Sequence, residues 1–272
     1  MGFLARLKTG WALSMDSLGV LRSDPGLTLF PLLAGIAGTV YIGLILGGSV
    51  LVTGTDPGIV LYAVLFVVYL GSSFIAAFFS AALMYNTREI FHGREPTLRD
   101  GIAAAWRNRT PLFAWAVISA VVGVFFRALE SEDVPLGDLA SVLLGAAWGI
   151  LTYFVVPVIV FEDVSVRGMF ERSGRTFKQT WGETAGAGFG VGIVTALFTL
   201  GGLAVAGIVF LVLGGTAVGV IGAVAIGALV LLAAYLLGTA LGSIAKTALY
   251  IYATESERPD GFENVDFANT VR

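Results

Sequence analysis

The sequence predicts an all-α membrane protein, six transmembrane helices joined by short amphipathic cytoplasmic helices, and three observations predict it. Of the 272 residues, 57% are hydrophobic and only 13% charged, with a mean hydropathy of +0.88. A soluble domain carries about 25% charged residues, and half that amount does not cover a water-facing surface of this size. The apolar residues gather into runs of the length, about 20 residues, that crosses a hydrocarbon core about 30 Å thick. The alternation of apolar and polar residues that a transmembrane β-barrel requires is missing.

The spans follow in order. Leu29–Val52, Gly58–Tyr85, Pro111–Ala128 and Gly137–Phe161 are long and almost free of charge. Beyond them, 62 uncharged residues separate Glu183 from Lys246, room for two long helices or, barely, three. Gly214-Gly215-Thr216 near the midpoint is a natural turn, which favours two, Thr184–Leu213 and Ala217–Tyr252. The chain then divides into an N-terminal amphipathic cytoplasmic segment (1–28), the six-span domain (29–252) and an acidic cytoplasmic tail (253–272). Met1–Val20 is not read as a cleaved signal, because its apolar residues are scattered and no small-residue cleavage site follows.

Lys and Arg mark the cytoplasmic side of a membrane protein. The N-terminal segment and the loops after spans two and four hold most of them, so 15 of the 16 basic residues fall on one side and only Arg127 on the other. The far side adds five acids, Asp56, Glu130, Glu132, Asp133 and Asp138, to that one base. Both termini are therefore expected in the cytoplasm, and the protein in the cell membrane as a multi-pass chain.

The cytoplasmic segments carry helical patterns. Leu4, Leu7, Trp11, Met15 and Leu18 form one apolar stripe, opposite Arg6, Thr9, Asp16 and Ser17. Thr97 and Asp100 make a capping box for a helix with Leu98, Ile102 and Trp106 on one side. Ser165 caps a third, with Val166, Met169, Phe170, Ser173, Phe177 and Trp181 in register. Such helices lie in the membrane interface or pack beneath the bundle, and the modest stripes favour packing. One amphipathic helix followed by two spans, three times over, is a threefold hairpin pseudo-repeat.

The stretch from Trp11 through Asp24-Pro25-Gly26-Leu27 into Leu29-Phe30-Pro31 resembles the opening of an uncharacterised family of microbial six-helix integral membrane proteins, domain-of-unknown-function family 6159. Pro157-Val-Ile-Val-Phe-Glu162-Asp163, followed by Arg172-Ser173, is similar to a motif shared more widely among multi-span proteins. The resemblance implies a fold and no activity, and it brings no functional residues with it.

Several chemistries lack their residues. Cysteine is absent, and the one histidine, His92, leaves no second imidazole for a His-based metal site and stands as a solvated loop residue without a nucleophile elbow nearby. No cofactor is expected. The bases of the cytoplasmic face are nearly matched by acids, so no nucleic-acid partner is expected either. Gly186, Gly188, Gly190 and Gly192 lack the strand and the acid of a dinucleotide loop. Gly186/Gly190, Gly188/Gly192 and Gly238/Gly242 instead keep the small-xxx-small spacing that lets helix backbones touch, as do Gly43/Gly47 and Gly145/Gly149. No acid lies centrally in any span, which disfavours an ion-coupled transporter. Glu162 and Asp163, just past the kinking Pro157, are the candidate polar interface site, placed to bind a cation or Arg167, and the plainer reading is a capped helix end that feeds the next helix at Ser165. Lys246 is expected to snorkel to the interface, and Trp148 to fill a gap between helices. The acidic tail is expected to be solvated and flexible. These readings describe a non-enzymatic scaffold or assembly subunit whose partners are the bilayer and either copies of itself or another membrane protein. The alternative is a passive channel or permease for a small or lipidic solute.

Overall fold

A computed structural model describes residues 3–53, 60–130, 137–181, 189–213, 216–265 and 267, and the described residues form helices and turns without a strand. In chain order the helices are α1 (Phe3–Ser23), α2 (Leu29–Thr53), α3 (Val60–Phe91), α4 (Leu98–Arg107), α5 (Arg109–Glu130), α6 (Gly137–Thr152), α7 (Val155–Phe161), α8 (Val166–Trp181), α9 (Phe189–Leu213) and α10 (Ala217–Glu255). Among the described residues five are long and apolar enough to cross a membrane: Pro25–Leu51, Val60–Phe91, Arg109–Leu129, Ser141–Phe161 and Val218–Glu255. The fifth expected span corresponds to α9, which contributes a shorter apolar stretch, Thr199–Leu213; residues 184–188 of that expected span lie outside the described residues.

Local chemistry sets the helix boundaries. Asp24 accepts from the amide of Gly26 and opens a 3-10 turn, Pro25–Thr28, that leads straight into α2. The capping box at α4 is present, with Thr97 accepting from the Asp100 amide and the Asp100 carboxylate accepting from the Thr97 amide at 2.8 Å. Those bonds hold the Asp100 carboxyl below its ordinary range. Ser165 caps α8 by accepting from the Gly168 amide at 3.1 Å. The fourth span is broken between α6 and α7. Pro157 has no N–H to offer the carbonyl of Tyr153, four residues back, and its ring crowds that carbonyl. The amide of Phe154, inside the break, donates instead to the Ser173 hydroxyl of α8 at 3.0 Å.

The packed core lies at one end of the bundle, where α4 lies along α3, α8 on α6, α7 and α10, and α1 on α9 and α10. This is called the capped end below. Its buried residues include Phe30, Ala81, Ala82, Leu112, Phe154, Met169, Ile244 and Leu249. Trp148 stacks on Trp115 with ring centroids 5.7 Å apart, and Phe170 closes the same cluster, so the expected gap-filling tryptophan is found between helices.

Two expectations are corrected here. α1 buries Leu13, Ser14, Asp16, Ser17 and Leu21, while Trp11 and Met15 of its apolar stripe stay exposed. In a membrane protein the exposed side is not the watery side alone, so an apolar stripe does not have to face the core. The tail also departs from a solvated end. After a turn at Gly261 (φ 82), Phe262, Val265 and Phe267 are buried against the core, Phe262 packs edge-on to Phe91, and Tyr252 stacks on Phe267. The Asn264 side chain and amide both donate to the buried Asp16 carboxylate, at 2.7 and 3.1 Å. Three aromatic and aliphatic side chains hidden among five acids gave the tail the means to fold back.

Candidate functional site

The polar residues of the capped end converge where α3, α7, α8 and α10 meet. Glu162, directly after α7, accepts from Nε of Arg172 on α8 with both oxygens, at 2.8 and 2.9 Å. The Tyr250 hydroxyl of α10 donates to the same carboxylate. The Glu162 hydrogen bond raises the Arg172 pKa above its ordinary value, so the guanidinium stays charged. Tyr250 is among the largest enclosed side chains, and its ring packs on Phe154 and Phe161. Three elements are thus tied through one carboxylate.

A second cluster adjoins it. Arg88, in the last turn of α3, lies over the Phe161 ring at 4.9 Å and donates to Oε1 of Glu255 at 2.7 Å. His92 stands 3.8 Å from the other oxygen of Glu255. On α10, one turn before Tyr250, Nζ of the half-buried Lys246 sits 4.5 Å from the centre of the Tyr153 ring. A cation over an aromatic face is held there electrostatically, and Tyr153 is available because the α6–α7 break turns it aside.

Of the expected site residues, the structure engages Glu162 but not with Arg167. Arg167 is exposed and pairs with Glu171 one turn along α8, at 2.7 Å. Arg172 takes its place because residues 167 and 172 point to different sides of α8, and only the Arg172 side, with Met169, Ser173 and Thr176, faces the bundle. Asp163, beside Glu162, is exposed. His92, expected as a solvated loop residue, is exposed, with Nδ1 hydrogen-bonded to the Arg88 carbonyl and Nε2 near Glu255. Sequence reasoning missed Arg172, Tyr250, Arg88 and Glu255 as partners. The one available signal was the motif that carries Glu162 and Arg172-Ser173 together, since two of its residues reach back to the fourth span.

Among the expected packing glycines, Gly186 and Gly188 lie outside the described residues, and Gly190 and Gly192 fall in the first turn of α9. Gly238 and Gly242 are half-buried in α10. Other glycines divide sharply. A Cβ on Gly101 would stand 2.7 Å from the Ala82 carbonyl and 2.8 Å from Phe30, one on Gly123 would stand 3.1 Å from Tyr69, and the Tyr41 ring fills the space beside Gly71. At Gly43, Gly47, Gly145 and Gly149 a Cβ would meet no described atom within 4 Å.

An all-helical chain with five helices of membrane-crossing length and apolarity has the build of a multi-pass membrane protein. The chain belongs to a family of unknown function, DUF6159, whose match covers residues 59–261. The matched stretch includes the Glu162 motif, Arg172, Tyr250 and Glu255, and excludes the Trp11–Pro31 opening. No curated protein and no solved structure matches the chain.

Proposed function

We propose that this chain is a non-enzymatic assembly subunit of the cell membrane, with six spans and both termini cytoplasmic, that acts by packing its helices against copies of itself or another membrane protein. The observation that carries the reading is the open space beside Gly43 and Gly47 on α2 and beside Gly145 and Gly149 on α6. Each pair has the small-xxx-small spacing that lets two backbones approach, yet no described residue of the chain fills the space beside either. Six spans are supported by the contact of Asn264 with Asp16. Chain that precedes the first span touches chain that follows the last, which favours an even number of crossings between them. At about 1.5 Å per residue, the 25 residues of α9 also reach about 37 Å, more than the hydrocarbon core. The gathering of Lys and Arg at the capped end supports a cytoplasmic placement for it. The order of one amphipathic helix and two spans, met three times, supports the pseudo-repeat.

The test is association of the full chain in nanodiscs or mild detergent, read by native mass spectrometry and crosslinking. Gly43→Leu with Gly47→Leu should lower association at least tenfold and leave thermal unfolding of the single chain unchanged, because nothing stands within 4 Å of either position. Association that survives this pair and the matching α6 pair sinks the reading.

A second reading, a passive route or binding place for a lipidic solute, is favoured by one feature. A groove of about 680 Å³ lies between α2, α3 and α10, lined by Gly35, Gly38, Ile75, Leu232 and Tyr235. Its size and apolar walls with few polar atoms are those of ligand pockets, and the Ser72 hydroxyl on its wall is buried without a hydrogen-bond partner. A monomer that keeps one lipid through purification, and loses it on Gly38→Leu, would favour this reading over assembly.

A further inference from the structure

His92, one residue past α3, meets Glu255 and Glu257 at the end of α10, with one ligating atom from each within 4.8 Å of the other two. His92 Nδ1 lies 2.7 Å from the carbonyl oxygen of Arg88. A carbonyl only accepts, so Nδ1 carries the proton and Nε2 of the neutral ring presents its lone pair. That lone pair is directed to the side of Glu255, whose Oε2 is 3.8 Å away. A single ion about 2.1 Å from each atom bridges such a gap. The other oxygen of Glu255, Oε1, is held by the Arg88 guanidinium at 2.7 Å. Arg88 therefore orients both groups, its backbone fixing the imidazole tautomer and its side chain fixing the carboxylate. Such outer partners are what hold a ligating histidine and carboxylate in place. Ser256 between the two glutamates adopts φ 58, ending the helix so that Glu257 comes to the same cluster.

We propose that His92, Glu255 and Glu257 bind a divalent transition-metal cation, which ties the end of α3 to the end of α10 just before the tail folds back onto α1. One imidazole with two carboxylates suits Zn²⁺ among such ions, with water completing its coordination. Glu255 and Glu257 bring two carboxylates to the cluster, which suits a divalent cation there. The inference stands apart from the assembly reading, since it rests on other residues and on the capped end alone.

The full chain, stripped with chelator and held in nanodiscs, is titrated with Zn²⁺ by calorimetry. The expected result is about one equivalent per chain, reversed by chelator, with Kd raised at least tenfold by His92→Ala and by Glu257→Gln. Zinc-edge X-ray absorption should show imidazole scattering in the parent protein and not in His92→Ala. Zn²⁺ should raise the Tm of the parent and leave that of Glu257→Gln unmoved. No saturable Zn²⁺ uptake overturns the proposal, as does uptake of equal affinity in both variants. Glu257 is exposed, so its variant keeps the fold and decides the matter even where His92→Ala does not fold.

Discussion

At the capped end, Ala81 and Ala82 of α3 and Ala240 of α10 have no exposed surface, while away from it Leu51 of α2 and Leu211 of α9 keep 89% and 78% of theirs. The difference follows from what surrounds each end. Where α1, α4, α8 and the tail cover the spans, apolar faces are drawn together out of water, and charges find partners in Glu162–Arg172 and Arg88–Glu255. Where only span meets span, the surrounding lipid is as apolar as leucine, and nothing gathers those faces but close fit. The apolar side chains of this open end therefore stay exposed, and no described atom stands within 4 Å of a Cβ built on Gly43, Gly47, Gly145 or Gly149.

The comparison breaks most visibly at glycine. Gly101→Ala should cost about 3 kcal/mol or more in thermal unfolding, since the new Cβ would collide with the rigid backbone carbonyl of Ala82; a Tm unchanged from the parent would mean the capped end is loosely built. Glu162→Ala leaves the Arg172 and Tyr250 donors without their acceptor, and because the Glu162–Arg172 pair is only part-buried the expected loss is about 2 kcal/mol, measured by denaturant unfolding. Asn264→Ala removes the side-chain donor to Asp16 and keeps the backbone one, so about 1 kcal/mol should go, with faster hydrogen exchange over the tail as the local readout. Leu51→Ala, at the open end, should change unfolding by less than about 0.5 kcal/mol. A large effect there would show that the open end is packed in the single chain after all.

Much of the helical frame could be read before any coordinates. The Thr97–Asp100 box, the Ser165 cap and the kink at Pro157 appear where the residues place them, because each rests on bonds within a few residues of one another. The candidate site was legible only in part. Glu162 stood out as an acid leaving a span, but its neighbour in sequence, Arg167, turned to Glu171, and Arg172, ten residues on, reached it. Tyr250 and Glu255 carry no pattern of their own and come from the far end of the chain.

The sequence by itself determined the helices, their apolar character and their caps, since periodicity, proline and short-range hydrogen bonds act locally. Only the tertiary structure decided which face of α1 turned inward, that the acidic tail docks on Asp16, and which charges pair around Glu162 and Arg88. Those outcomes depend on residues far apart in the chain, and in a protein whose helices are apolar on nearly every side, hydrophobicity does not choose among the faces. Small residues, polar partners and the aromatic side chains of the tail make that choice.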